Sequence, residues 1–321
     1  MATSGSINYN STRNELIQDA LILIGVIGAE ESIHEADLAL ANRFLNRMVK
    51  AWDAQGIHLW TYSEATLFLA DGTNSYNMAS ASSDARWADT VYDTTLSAAE
   101  AASQTVLSVT DSTGMTAADI CGIVLDDDTI HWTTIATVDS ATQITVDTAL
   151  ASAAASGNRV YAFTSRSERP LHIHSIRRRS GSGVDVHDVP LITLSREEYF
   201  DLPNKEAKST PTQFYYDPQL TTGKLYLYPT PDDPEVRLKL TYQRQLEDFD
   251  AAADNPDFPQ EWLECLTYNL AMRLAPAFGK DQKVIATIAP MAQASLQNIL
   301  DHDQEVTSIQ LVPTSDVYWG S

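Results

Sequence analysis

Cysteine is nearly absent from this sequence. Cys121 and Cys265 are the only two in 321 residues, and they fall in different segments. That excludes a disulfide framework and any zinc site of C-x-x-C spacing, and it fits assembly in a reducing compartment. Basic side chains are scarce as well: 21 Lys and Arg stand against 43 Asp and Glu, a formal charge of −22. Lys and Arg bind phosphate backbones by displacing counterions, so this balance argues against gripping nucleic acid. Such a charge either keeps a surface soluble or forms an electronegative wall past which a polyanion slides. No run of eighteen apolar residues is present, so no membrane-spanning helix is expected. The opening Met-Ala-Thr-Ser-Gly-Ser has neither a basic nor an apolar segment of a secretion signal.

Sequence patterns for chemistry are equally thin. Neither G-x-x-x-x-G-K-[ST] nor G-x-G-x-x-G occurs, nor G-x-S-x-G, nor H-E-x-x-H. His172 and His174 are two apart and would share one strand face, a metal pair without a third ligand nearby; a solvated face explains them better. Asp126, Asp127 and Asp128 lack the alternating ligands of a calcium loop and fit a solvated turn. Glu261 with Glu264, or Asp232 with Asp233, could be put forward as an acid and base for glycan hydrolysis. That chemistry needs carboxylates facing each other across a cleft, which neighbours on one exposed face do not supply. The expectation is a protein without enzymatic activity, cofactor or metal.

What the sequence does contain is alternating blocks of helical and strand period. Thr12 and Glu15 have capping-box spacing before a stripe of Leu16, Ile17, Ala20, Leu21 and Ile24, which Gly25 and Gly28 end. Ser32 and Glu35 repeat that spacing ahead of a longer helix with Leu38, Ala41, Leu45, Met48 and Trp52 on one face, closed by Gly56. The period then becomes two. Ala65, Leu67 and Leu69 oppose Thr66 and Phe68, Asp71-Gly72 turns, and residues 75–78 return. Residues 94–163 are rich in Ala, Ser, Thr and Asp, with five short Val/Ile-containing runs, and point to a small β-barrel or sandwich inserted into a host domain. Alternation resumes at Arg169, with Leu171 and Ile173 on one face and His172, His174 and Ile176 on the other. Ser195 and Glu198 cap a short helix.

A longer-loop hairpin over residues 209–231 and a strand carrying Val236, Leu238, Leu240 and Tyr242 precede a helix that starts near Pro259. Trp262, Leu263, Leu266, Leu270 and Leu274 recur along it, and after a break at 276–279 a second helix runs to about 300. The fold class is α+β: N- and C-terminal helical hairpins packed with antiparallel strands, an inserted all-β domain and an extended C-terminal arm. The expected divisions are 1–93, 94–163, 164–302 and 303–321. Arg166, Arg169, Arg177, Arg178 and Arg179 form the one basic cluster, either a solvated face or an electrostatic joint to an acidic face of a neighbour.

Several of these stretches, in this order, resemble one family. They are Ala20-Leu-Ile-Leu-Ile-Gly-Val-Ile-Gly, Ala36-Asp-Leu-Ala-Leu-Ala-Asn-Arg-Phe-Leu-Asn-Arg-Met, Trp52-Asp-Ala-Gln-Gly, Arg169-Pro-Leu-His-Ile and Ser195-Arg-Glu-Glu-Tyr. Pro211-Thr-Gln-Phe-Tyr-Tyr-Asp-Pro, Gly223-Lys-Leu-Tyr-Leu-Tyr-Pro-Thr-Pro and Phe258-Pro-Gln-Glu-Trp-Leu follow. Together they look like the head-to-tail adaptors, or tail accessory factors, of short-tailed phages. The resemblance implies a virion protein, assembled in the host cytoplasm, that forms a homo-oligomeric ring, typically a dodecamer, at the head–tail interface. Its partners would be other copies of itself, the portal protein above and the tail nozzle or tail tubular protein below, with genome DNA passing through unbound.

Combined with the apolar stripes, the resemblance nominates Leu45, Met48, Trp52, Trp262, Leu266 and Leu270 as subunit-interface residues. Val306, Ile309, Leu311, Val312, Tyr318 and Trp319 are nominated as a portal-docking arm, since aromatic anchors carry much of an interface's energy. The insertion departs from the smaller adaptors and is a candidate contact for a tail fibre. Two other readings stand beside the structural adaptor: a tail-borne cell-wall hydrolase, and a tail-fibre or baseplate module.

Overall fold

The computed structural model describes residues 5–55, 59–80, 85–181, 186–233 and 235–303. Helices α1 (Arg13–Leu23) and α2 (Glu35–Asp53) come first, then strands β1 (Tyr62–Phe68), β2 (Ser75–Met78) and β3 (Arg86–Ala88). Six strands follow: β4 (Tyr92–Thr95), β5 (Val106–Ser108), β6 (Ile120–Val124), β7 (Ile130–Ser140), β8 (Gln143–Val146) and β9 (Arg159–Phe163). After them come β10 (His172–Ser180), β11 (His187–Pro190), β12 (Ile192–Thr193), the short helix α3 (Arg196–Phe200), β13 (Gln213–Asp217), β14 (Gly223–Tyr228) and β15 (Arg237–Gln243). Helices α4 (Leu263–Ala277) and α5 (Gln282–His302) complete the order. The protein is mixed α+β, and its paired strands run antiparallel except β12 with β13. Contacts divide it into two units, Met1–Leu59 with Leu246–Ser321, and Trp60–Gln245.

The first unit is helical, with α4 at its centre and α1, α2 and α5 packed against it. Both capping-box hydrogen bonds at the start of α1 form, the Glu15 carboxylate accepting from the Thr12 N–H at 2.8 Å. The start of α2 differs from expectation. His34, not Ser32, is its N-cap, accepting from the Ala36 N–H through Nδ1, so the helix begins at Glu35. The segment after residue 246 ties the N-terminal helices to α4. Arg13 N–H donates to the Asp254 carbonyl at 2.8 Å, and the Phe249 N–H donates to the Asn46 side chain at 2.9 Å. Buried Asn269 of α4 donates to the Ala292 carbonyl of α5 at 3.1 Å, a polar cross-link between the two helices.

The second unit is built from sheets. A five-stranded sheet ordered β11-β10-β15-β1-β3 faces a four-stranded sheet ordered β12-β13-β14-β2. Their common core holds Ala65, Leu67, Trp87, Leu238, Leu240 and Tyr242 from the first and Tyr76, Met78, Phe214, Leu225 and Leu227 from the second. These are alternate residues along each strand, as a one-sided sheet requires. On β10 the alternation breaks. A bulge between Ile173 and Ser175 lets Ile173 and Ile176 both reach the core, whereas strict alternation placed them on opposite faces.

Among the described residues strands β4–β9 pair only among themselves, in the order β4-β9-β6-β7-β8-β5, and a bridge between Leu96 and Val109 brings the two edges together. Cys121, Ile123, Val160 and Ala162 point into the core of this sheet with Leu107, Ile135 and Ile144. The alternate residues Val124, Tyr161 and Phe163 point outward and are buried against Phe68 of β1 and Ala88 of β3. Phe68 lies 5.2 Å from the Trp132 ring and 4.6 Å from Tyr161, centroid to centroid. Trp132 lies across Gly122, where a Cβ would stand 2.6 Å from the indole, so that position requires glycine. β6 and β9 are thus buried on both faces, which is why Ile120–Val124 and Arg159–Phe163 read as nearly continuous apolar runs.

Candidate docking surfaces

The residues nominated from sequence have three different fates. Val306, Ile309, Leu311, Val312, Tyr318 and Trp319 lie outside the described residues. The interface candidates are corrected: Leu45, Met48, Leu266 and Leu270 are 0% exposed, and Trp52 and Trp262 are buried with them. The Trp52 ring meets Trp262 edge-on at 5.8 Å and Phe258 at 6.4 Å, so these six side chains form the interior of the helical unit. An apolar stripe marks the face a helix buries, and here that face of α4 is covered by its own chain.

The basic cluster is split by strand alternation. Arg177 and Arg179 share one face of β10. Arg177 pairs with Glu64 at 2.6 Å, and Arg179 holds Asp188 through both Nε (2.8 Å) and Nη2 (2.6 Å). That fork raises the Arg179 pKa and lowers that of Asp188. Arg178 sits on the opposite face, across from Leu238. Arg169 donates to the Pro170 carbonyl at 3.3 Å, and Arg166 lines a small cleft beside Arg86 and Trp132. The run is therefore largely engaged within its own sheet and does not form a single cationic patch.

Of the other candidates, His172 is exposed and His174 lies against the Tyr62 ring at 5.7 Å. Asp126 accepts from the Ala155 N–H and from Asn158, and Asp127 accepts from Thr129, so both brace turns. Glu261, Glu264, Asp232 and Asp233 are exposed. Among the described residues no group of three His, Cys, Asp or Glu side chains is placed to hold a metal ion, and no helix is long and apolar enough to cross a membrane. Cys121 and Cys265 are free and buried, and burial pushes their thiols up, to about 12 and about 11.

The apolar surface left open in the helical unit is elsewhere. Along the 21 residues of α5 only Ile288 and Ala292 are buried, while Val284, Ile285, Leu296, Ile299 and Leu300 are half-covered and Met291 is 49% exposed. A groove of about 470 Å³ lies between α1 and α4, with Leu16, Ile22, Leu23 and Leu263 on its walls and Asp19 and Glu264 among its polar groups. Partial burial, then the Glu15 carboxylate, pushes the Asp19 carboxyl above the ordinary aspartate value. Apolar walls with carboxylates beside them suit a partner segment that carries apolar and cationic side chains. In the sheet unit Ile192 and Phe200 are exposed, and Phe200 lies in an aromatic cluster with Tyr199, Tyr215 and Tyr226.

Comparison with known proteins defines the class first: this is a phage adaptor protein, a structural component of the virion. The chain belongs to the SU10 adaptor protein family, whose model matches residues 115–313, more than half of its length. The matched span begins ahead of β6 and passes the end of α5, so it takes in parts of both units. No curated protein matches the chain.

Proposed function

We propose that the protein assembles into a closed ring of identical subunits, twelve in the form the family resemblance favours, beneath the portal of a short-tailed phage. The ring joins head to tail and continues the DNA channel without turnover of any substrate. Membership of the adaptor family carries this reading. The half-covered stripe of α5 and the groove between α1 and α4 support it, because an isologous or head-to-tail contact needs apolar surface left over after the monomer has folded. The charge of −22 also favours it: carboxylates along a channel repel phosphates and let the genome slide. In this reading the C-terminal arm, residues 303–321, reaches the portal, and the tail nozzle docks on the opposite end of the ring.

Light scattering and electron microscopy of the purified protein, alone and with portal protein, test the assembly. A ring in either condition supports it, and a strict monomer that ignores portal overturns it. Clearing of peptidoglycan in a zymogram, abolished by Glu261→Gln or Glu264→Gln, would replace it with the hydrolase reading.

A further inference from the structure

The polar face of the five-stranded sheet, opposite its core, carries a concentration of positive charge that the adaptor role does not use. Arg237 and Lys239 alternate along β15, Arg179 approaches from β10 and Arg159 from β9 of the β4–β9 sheet. With Thr66, Val91, Asp93 and Val186 they line a cleft of about 270 Å³. Four cations thus share the cleft with one carboxylate, in a chain whose charge is otherwise −22. Asp93 divides a single oxygen, Oδ2, between Arg159 at 2.7 Å and Arg237 at 2.8 Å. Asp188, outside the lining, is committed to Arg179.

Arg237 and Lys239 are incompletely matched. Arg237 is 7% exposed, lies over the Tyr161 ring, and its buried Nε has no hydrogen-bond acceptor. Lys239 donates to the neutral Thr66 hydroxyl at 2.5 Å. Burial first, then Arg179 and Arg237, lower its pKa, against a smaller opposing pull from Glu64 and Asp188. Crowding like charges in a partly desolvated cleft is unfavourable unless an anion joins them. The guanidinium N–H groups that Asp188 and Asp93 leave unused, with an ammonium beside them around a small concavity, are donors of the kind a tetrahedral oxyanion takes up.

We propose that this cleft binds a small phosphate-class oxyanion between Lys239, Arg179 and Arg237, and that the bound anion clamps the β4–β9 sheet onto the five-stranded sheet. A volume near 270 Å³ accommodates a free oxyanion, and a nucleic-acid phosphate, which carries the same oxygens, is the alternative source that the test separates. Asp93 then acts as an internal competitor, occupying two of the cations when the ion is absent.

The test is calorimetric titration and thermal denaturation of the full chain with inorganic phosphate, against chloride at matched ionic strength. The expected result is saturable binding with a raised melting temperature, weakened at least 10-fold by Lys239→Met or by Arg179→Gln. Asp93→Asn carries the opposite sign: it lowers the melting temperature without phosphate, tightens phosphate binding, and gains more from added phosphate than the parent does. The proposal is overturned if phosphate does no more than chloride, or if the parent and Lys239→Met respond alike. It is also overturned if duplex DNA, and not phosphate, binds in a Lys239-dependent way.

Discussion

Leu266→Ala separates a residue that builds the subunit from one that joins subunits. Leu266 is 0% exposed on α4, the helix against which α1, α2 and α5 all pack, so neither solvent nor a neighbouring turn can fill the space its side chain leaves. Removing a fully buried leucine costs about 2–5 kcal/mol, the higher end applying where the surroundings cannot collapse. The enclosed position places Leu266 near 3–4 kcal/mol. For a cooperative body of this size that is a fall in melting temperature of roughly 10 °C or more. Met291→Lys is the matched control. Met291 is 49% exposed on α5, so its replacement should leave the melting temperature of the dissociated protein within about 2 °C while weakening ring formation. Differential scanning calorimetry at a concentration where the subunit is monomeric reads the first quantity, and light scattering reads the second. If Leu266→Ala melts like the parent but fails to assemble, Leu266 is an interface residue and its burial within the subunit has been misjudged.

Phe68→Ala should loosen the β4–β9 sheet without unfolding it. The aromatic contacts with Trp132, Tyr161 and Phe163 are lost at a cost of about 3–5 kcal/mol, and hydrogen exchange should rise in β9 before it rises in β8. Asp19→Asn should raise the melting temperature at pH 7 by about 1 °C, solvent screening keeping the effect small. A carboxyl whose pKa is raised in the fold is penalised while charged. The advantage of the variant should therefore vanish as the pH falls below the ordinary aspartate value, and an advantage that persists at pH 3 would contradict this origin. A chain ending at Asp303 should keep the parent's melting temperature within about 1 °C and lose portal binding in a co-sedimentation assay; retained binding would remove the arm from the docking scheme.

The elements most legible in the sequence were those governed by short-range rules. The Thr12–Glu15 and Ser195–Glu198 pairs announce their helices because a capping box spans only three residues, and both boxes form. The alternation of Ala65, Leu67 and Leu69, and of Leu238, Leu240 and Tyr242, marks the core faces correctly because a strand reverses its side chains at every step. Where the backbone departs from regularity, the pattern misleads: the bulge near His174 carries Ile176 to the core side. The stripe through Trp262, Leu266 and Leu270 reports that a face is covered but not by what, so a helix face covered by its own chain looks like one awaiting a neighbour. Arg177, Arg178 and Arg179 read as a patch only until alternation sends the middle one to the other side. The cleft around Lys239 left no local trace. Its cations come from β9, β10 and β15, and the overall acidity of the chain hides them.

The way the β4–β9 sheet is attached bears on how it could be lost or exchanged. Its first and last strands are direct neighbours, Tyr92 standing opposite Ala162, so the polypeptide enters and leaves this sheet at almost one point and could be rejoined there by a short linker. Yet that simple splice would strip the cover from Phe68 and Ala88 and leave Arg237 without the carboxylate of Asp93. A viable shortened descendant must therefore rewrite the outer surface of β1 and β15 along with the cut, trading aromatic and cationic side chains for ones at ease in water.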